Sequence, residues 1–185
     1  METSRRLAAA LLAVWIATTA AALAQSGRYG VGRTATADEI AAMDSAIGPS
    51  GAELPPGSAT AAQGKAVYTA RCAGCHGATG KEGPNDVLAG GQGTLKSERP
   101  VRTVGSYWPY ATTLFDYIRR AMPYATPGAL TDEEVYGATA YVLFLNGLIG
   151  EQDAIDAKAL AALRMPNRDG FVADPRPDVG GKQKR

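Results

Sequence analysis

The chain has 185 residues and carries 19 Lys and Arg against 18 Asp and Glu, a length that suits one domain with extensions. It lacks the concentrated basic stretch that nucleic-acid binding requires. With 22 Gly and 11 Pro, it favours a loop-rich fold over a large apolar core.

Residues 1–24 read as an export signal: Arg5 and Arg6, an Ala-rich apolar run from Leu7 to Leu23, and Ala22-Leu23-Ala24 as a small-X-small cleavage site. An uncleaved anchor is the alternative, but the run is poor in bulky residues and the cleavage site favours removal after Ala24. Glu2, Arg5 and Arg6 leave with that segment, so the remainder holds equal numbers of basic and acidic residues. No second apolar span follows, and a periplasmic mature chain without a membrane span is expected.

Residues 25–57 form an N-terminal extension with a helix expected over Thr36–Ala46. Two turn-rich stretches follow it, Gly48-Pro49-Ser50-Gly51 and Leu54-Pro55-Pro56-Gly57. The extension is either an arm laid over the domain or a flexible linker. The main domain is expected at 58–148. Its first helix, Ala61–Ala73, has Val67 and Tyr68 on its apolar side.

That helix runs into Cys72-Ala73-Gly74-Cys75-His76, which contains both cysteines and the only histidine of the chain. This is the attachment signature of c-type haem. Two thiols form thioethers with the haem vinyl groups and the adjacent imidazole binds the iron. On a helix, positions three and four apart share a face, so all three side chains project toward one flat ligand. A redox dithiol would need a βαβ context, zinc would need a second ligand pair, and a disulfide across three residues would staple almost nothing. One covalently attached haem c is therefore expected, with Cys72 and Cys75 as anchors and His76 as iron ligand.

After the motif, residues 77–93 form an irregular glycine-rich loop. Thr112–Ala121 is the next helix, with Leu114, Phe115 and Ile118 as its apolar face, ending at Met122-Pro123. Thr131-Asp132-Glu133-Glu134 is a capping box that opens a helix through Leu145, closed by Asn146-Gly147. Residues 149–185 are a C-terminal extension with a helical turn or two around Asp153–Leu163 and a tail whose last residues are expected to be disordered.

The opposite side of the iron is either open or closed by a methionine, since no other histidine exists and bis-histidine ligation within the chain is excluded. Met1 leaves with the signal and Met43 precedes the motif. Met122 lies between the motif and the capped helix, in a loop able to pass under the opposite haem face. Met165, in the tail, is the alternative.

The order of helix, Cys-X-X-Cys-His, glycine-rich loop, methionine loop and final helix over about residues 60–148 resembles a class I cytochrome c. The resemblance implies a mainly α fold in which the first and last helices cross around the haem. Gly64 and Tyr68 on the first helix and Tyr141 on the last are similar to the family's small-and-aromatic crossing. Gly83-Pro84-Asn85 is similar to the family's Gly-Pro loop, which implies that the Pro84 carbonyl accepts from His76 Nδ1–H and orients the ring.

Further segments resemble the cytochrome subunits of Sox-type sulfane dehydrogenases and related sulfite dehydrogenases. They are Gly32-Arg33-Thr34-Ala35-Thr36 with Glu39-Ile40, Leu54–Gly57, Val104–Tyr110, Asp116–Pro123 and Met165–Phe171. Some of these subunits carry two haem domains, whereas this chain has one motif. The resemblance implies a molybdenum-cofactor dehydrogenase partner that feeds electrons to the haem, and a downstream acceptor. Free-standing electron shuttling, or service to another periplasmic dehydrogenase, is the alternative. A sensor or peroxidase would need an open distal face.

Trp108 is a candidate haem contact, by hydrogen bond to a propionate or by burial against the ring. Arg102, Arg119 and Arg120 are candidates for propionate neutralisation or docking, with solvated surface as the ordinary use of such charges. No catalytic groups of the chain's own are expected.

Overall fold

The computed structural model describes residues 31–174 and Arg176. The expected signal segment 1–24 and the last residues of the tail lie outside these. The chain divides into two compact units, one up to Asp44 and one from Ser45 onward.

In the first unit, helix α1 spans Ala37–Met43, shorter than the expected Thr36–Ala46 because Asp44 leaves helical geometry. Its start is a reciprocal capping box. Thr36 Oγ1 accepts from Glu39 N at 3.2 Å, and Glu39 Oε2 accepts from Thr36 N at 2.9 Å. The same carboxylate pairs with Arg33 through Nη1–Oε2 at 2.7 Å, and the guanidinium holds the Glu39 carboxyl down to about 2.

The second unit is built around strand β1 (Ser58–Thr60), helices α2 (Ala61–Arg71), α3 (Ala73–His76), α4 (Ala111–Ala121) and α5 (Asp132–Leu145), strand β2 (Ala154–Asp156) and helix α6 (Ala157–Ala162). The mainly α class was expected, and so were α2, α4, α5 and α6, to within a residue or a few at their ends. Capping boxes start α2 and α5. Thr60 exchanges hydrogen bonds with Gln63 at 2.8 and 3.2 Å, and Thr131 with Glu134 at 2.9 and 3.2 Å. α5 stops in a Schellman turn: Leu148 N donates to Leu143 O at 3.1 Å and Gly147 N to Phe144 O at 2.8 Å. Gly147 takes φ +67° there, a left-handed conformation that costs glycine nothing.

α5 is the axis of the unit, with every residue from Val135 to Leu143 buried. A helix apolar on all sides needs cover on all sides. α2 covers one side, crossing at Gly64 and Gly137, where a Cβ on Gly64 would stand 1.8 Å from the Gly137 carbonyl oxygen. Tyr68 and Tyr141 meet beside the crossing with ring centroids 4.9 Å apart. α4 contributes Leu114, Phe115 and Ile118 to the core, and Phe115 tilts against Tyr136 at 4.5 Å.

Both expected extensions take part in this core. Residues 45–57 are laid on the helices: Ile47 N donates to Asp116 Oδ1 at 2.8 Å, and Tyr136 Oη donates to Pro55 O at 2.7 Å. After α5 the chain returns to pair β2 with β1, antiparallel, in the register Ala59 opposite Ile155. Ile155, Leu160 and Met165 are then buried with the helices. Packing in the second unit thus includes residues on both sides of 58–148. Three-residue strands and single apolar anchors between prolines leave no periodicity to read.

Candidate haem site

α2 ends at Arg71, and Cys72, with φ −120° and ψ −38°, separates it from the single turn of α3. The expected unbroken helix through Ala73 is therefore interrupted at the first cysteine. The turn survives nonetheless: Cys75 N and His76 N both donate to Cys72 O, at 3.1 and 3.0 Å. Cys72 is half-buried and Cys75 exposed, both with free thiols.

Burial pushes the Cys72 thiol up, and the neighbouring Cys75 adds to the shift. A redox dithiol needs the reverse, a thiolate stabilised at neutral pH. Among the described residues, no group of three or more His, Cys, Asp or Glu side chains is arranged to hold a metal ion by itself. The donor set is thus two thiols and one imidazole on one turn, which suits a covalently held macrocycle.

His76 Nδ1 lies 2.8 Å from the Asp86 carbonyl oxygen, which accepts its proton. This corrects the partner implied by the family likeness, the Pro84 carbonyl. The reason lies in how the loop is pinned. Gly83 is pressed onto Cys75, where a Cβ would meet the Cys75 carbonyl oxygen at 2.1 Å, and Asn85 N donates to that oxygen at 3.0 Å. Held there, the loop turns a carbonyl to the ring only at Asp86, and Pro84 stands exposed beside it. With Nδ1 engaged, Nε2 is the nitrogen left for iron.

Two further anchors fix this loop. Tyr68 Oη donates to Gly77 O at 2.9 Å, and burial pushes the phenol up to about 12. Glu82 accepts from Thr79 Oγ1 at 2.5 Å and from Thr79 N and Lys81 N at 3.0 Å each. Those hydrogen bonds, the Thr79 hydroxyl first, pull the Glu82 carboxyl down to about 2. A carboxyl lowered on folding from an ordinary 4.5 adds stability above pH 4.5, and that stability is lost as the pH falls toward 2. Glu82→Gln should lower the melting temperature at neutral pH, and the two melting curves should converge as the pH approaches 2. A gap independent of pH would mean that the charge plays no part.

Met122 follows the last turn of α4, its N–H donating to Ile118 O at 3.1 Å, and its side chain is half-buried against the core. Met165 is 1% exposed within the core, while Met43 in the first unit is 83% exposed. Of the candidate thioethers, Met165 is thus occupied by packing and Met122 is presented at a helix end. Trp108 is half-buried and meets Tyr117 edge-on at 5.8 Å. Like Leu88, Ala73 and Met122, it is an apolar group only partly covered by the core.

Arg119 and Arg120 are spent on structure. Arg119 Nε pairs with Asp132 at 3.0 Å, and Arg120 grips the largely buried Asp116 carboxylate with Nε at 2.8 Å. Arg120 holds the Asp116 carboxyl below its ordinary range.

Asn146 was legible only as a helix stop, yet it ties the far end of the site together. Its Nδ2 donates to Leu88 O at 3.0 Å and Val142 O at 2.9 Å, and its Oδ1 accepts from Gly90 N at 3.1 Å. Gly105 lies so close that a Cβ there would meet Asn146 Oδ1 at 2.3 Å. Its buried position and its reach of 54 to 58 residues have no local signature.

A family model described as cytochrome c oxidase, cbb3-type, subunit III matches residues 59–142. Among solved structures, the sulfane dehydrogenase SoxCD from Paracoccus pantotrophus is similar at 41% identity and a TM-score of 0.72, over 80% of this chain and 73% of that one. No curated protein matched. The match extends past the stretch that the family model accounts for and takes in extension residues as well. A likeness of that depth, on a fold whose first and last helices cross beside a Cys-X-X-Cys-His turn, places the chain in the class I cytochrome c family, where it resembles the cytochrome subunit of sulfane dehydrogenase and serves as an electron-transfer protein of the haem c type.

Proposed function

We propose that the chain is a periplasmic monohaem cytochrome that takes electrons one at a time from a molybdenum-cofactor sulfite or sulfane dehydrogenase subunit and passes them to a downstream acceptor. Residues 1–24 would direct export and be removed after Ala24 on translocation. The observation that carries this reading is the 41% identity to a sulfane dehydrogenase structure over most of both chains.

When bound, the haem supplies one-electron Fe(II)/Fe(III) chemistry. The chain's own residues hold and tune it. Cys72 and Cys75 would hold the macrocycle by thioethers, and His76 through Nε2 and Met122 through its thioether would bind the iron. The Asp86 carbonyl, by taking the Nδ1 proton, fixes the ring of His76 and strengthens it as a donor. Met/His ligation and apolar cover from groups such as Trp108 and Leu88 favour the reduced state, which suits an electron acceptor. Pro84, next to the pinned Gly83 in the same loop, would contribute a haem contact at most and not the orientation of His76. With His76 and Met122 both bound to it, the iron would serve electron transfer and not substrate binding.

The test is isolation of the mature protein from its native periplasm, followed by assay for molybdenum and for haem reduction on adding sulfite or a sulfane donor. A stable complex whose haem bands appear on that addition is the expected result. Recovery of the cytochrome alone, with no molybdenum protein, would replace this reading with free-standing electron shuttling.

A further inference from the structure

Two segments of the Sox-type likeness, Val104–Tyr110 and Met165–Phe171, are not explained by iron ligation, and the fold brings them together on one surface. Asn167 Nδ2 donates to the Tyr107 carbonyl across 60 positions at 2.8 Å. The Tyr107 and Phe171 rings meet edge-on at 5.2 Å, and Tyr110 forms an antiparallel bridge with Arg164. The Arg168 guanidinium lies 4.1 Å from the Tyr110 ring centroid, and that of Arg102 lies 5.7 Å from the Tyr107 centroid. Met165, fully buried, roots the returning tail in the core.

This surface is costly for a chain that works alone. Phe171 is 51% exposed and Tyr107 37%, and Val172, next to Phe171 in the chain, is 90% exposed. Exposed Tyr and Phe with Arg stacked on them make up the residue set enriched where interfaces are strongest. The arginines set the partner's charge. Arg164 is paired with Asp169, but among the described residues Arg102 and Arg168 take part in no ion pair. Their stacking on aromatic rings fixes them before any encounter, which lowers the entropy cost of binding.

We propose that the Tyr107–Phe171 surface, flanked by Arg102 and Arg168, is the docking face for the dehydrogenase's catalytic subunit, which meets it with carboxylates around an apolar recess. The proposal rests on the partnership argued under Proposed function. A second copy of this chain is the poorer occupant. A two-fold contact lays the same patch on itself and brings unpaired arginines toward unpaired arginines.

The test uses the full-length mature holoprotein and the purified molybdenum subunit, with affinity measured by calorimetry at low and high salt. Phe171→Ala is expected to weaken binding at least tenfold, and Arg102→Glu to weaken it similarly and flatten its salt dependence. The haem spectrum and melting temperature should stay as in wild type. Val172→Asp, at a position too exposed to affect folding, provides a second disruption should Phe171→Ala loosen the tail. Wild-type affinity in all three variants overturns this docking face and leaves the partnership standing. A wild-type chain that does not bind the molybdenum subunit at all overturns the partnership, and the docking face with it. A wild-type dimer that Phe171→Ala turns into a monomer overturns the assignment in favour of self-association.

Discussion

Met122→Ala holoprotein is expected to lose the methionine-to-iron charge-transfer band of the oxidised spectrum, to bind added imidazole or cyanide readily, and to show a lower reduction potential. The physical ground is the different use of the methionines. Met122 is half-buried at the end of α4, only partly covered by the core. Met165 is 1% exposed and surrounded by core side chains, so its loss is a packing defect. Truncation of a buried methionine to alanine costs about 2–5 kcal/mol through lost contacts and residual cavity. Met165→Ala should accordingly lower the denaturation midpoint by that order while keeping the band. Met122→Ala should do the reverse, with a large spectral change and a small loss of stability. A band that persists in Met122→Ala and vanishes in Met165→Leu would reverse the ligand assignment. Leucine conserves volume well enough to keep the core intact.

The second large effect concerns the helix crossing. Gly64→Ala puts a methyl group 1.8 Å from the Gly137 carbonyl oxygen, and that oxygen belongs to the backbone of a buried helix. No rotamer relieves such a contact, so α2 and α5 have to separate. Overpacking of this kind costs about 1–3 kcal/mol, occasionally more, and the better helix propensity of alanine returns only about 1 kcal/mol. The net expectation is a loss of up to about 2 kcal/mol, read as a lower denaturant midpoint at unchanged slope in the holoprotein. Gly74→Ala is the matched control. A Cβ there meets nothing within 4 Å, and the variant should be as stable as wild type or slightly more so. Equal midpoints for the two variants would show that the crossing tolerates a wider separation than its geometry indicates. Because α2 runs directly into the haem turn, Gly64→Ala should also disturb the haem environment.

The elements that local pattern revealed are those whose stabilising contacts are local. Thr60 with Gln63 and Thr131 with Glu134 form hydrogen bonds three residues apart, so α2 and α5 could be placed from their first turns. Apolar periodicity placed α4 in the same way. β1 and β2 left no such trace. Each is three residues long, and their pairing joins Ser58 to Asp156 across nearly the whole domain. The anchors of residues 45–57 are likewise single groups, Ile47 and Pro55, meeting Asp116 and Tyr136 at separations of 69 and 81 positions.

For the site, five consecutive residues were enough to name the cofactor. Two thiols and an imidazole within little more than one turn must face one way, whatever the rest of the chain does. The partner of His76 Nδ1 was not decided so locally. It depends on where a glycine-rich loop turns its carbonyls, and the close seat of Gly83 on Cys75 carries the choice from Pro84 to Asp86. Arg119 and Arg120 were charges of open purpose until Asp132 and Asp116 were seen to hold them. Met122 and Met165 were two thioethers in comparable Met-Pro steps, and burial alone separates them. The identity of the haem group is thus written in covalent and helical geometry that one turn supplies. Which atoms orient it, which methionine faces it and which surface is left for a partner depend on contacts between segments tens of residues apart, and those exist only once the chain has folded.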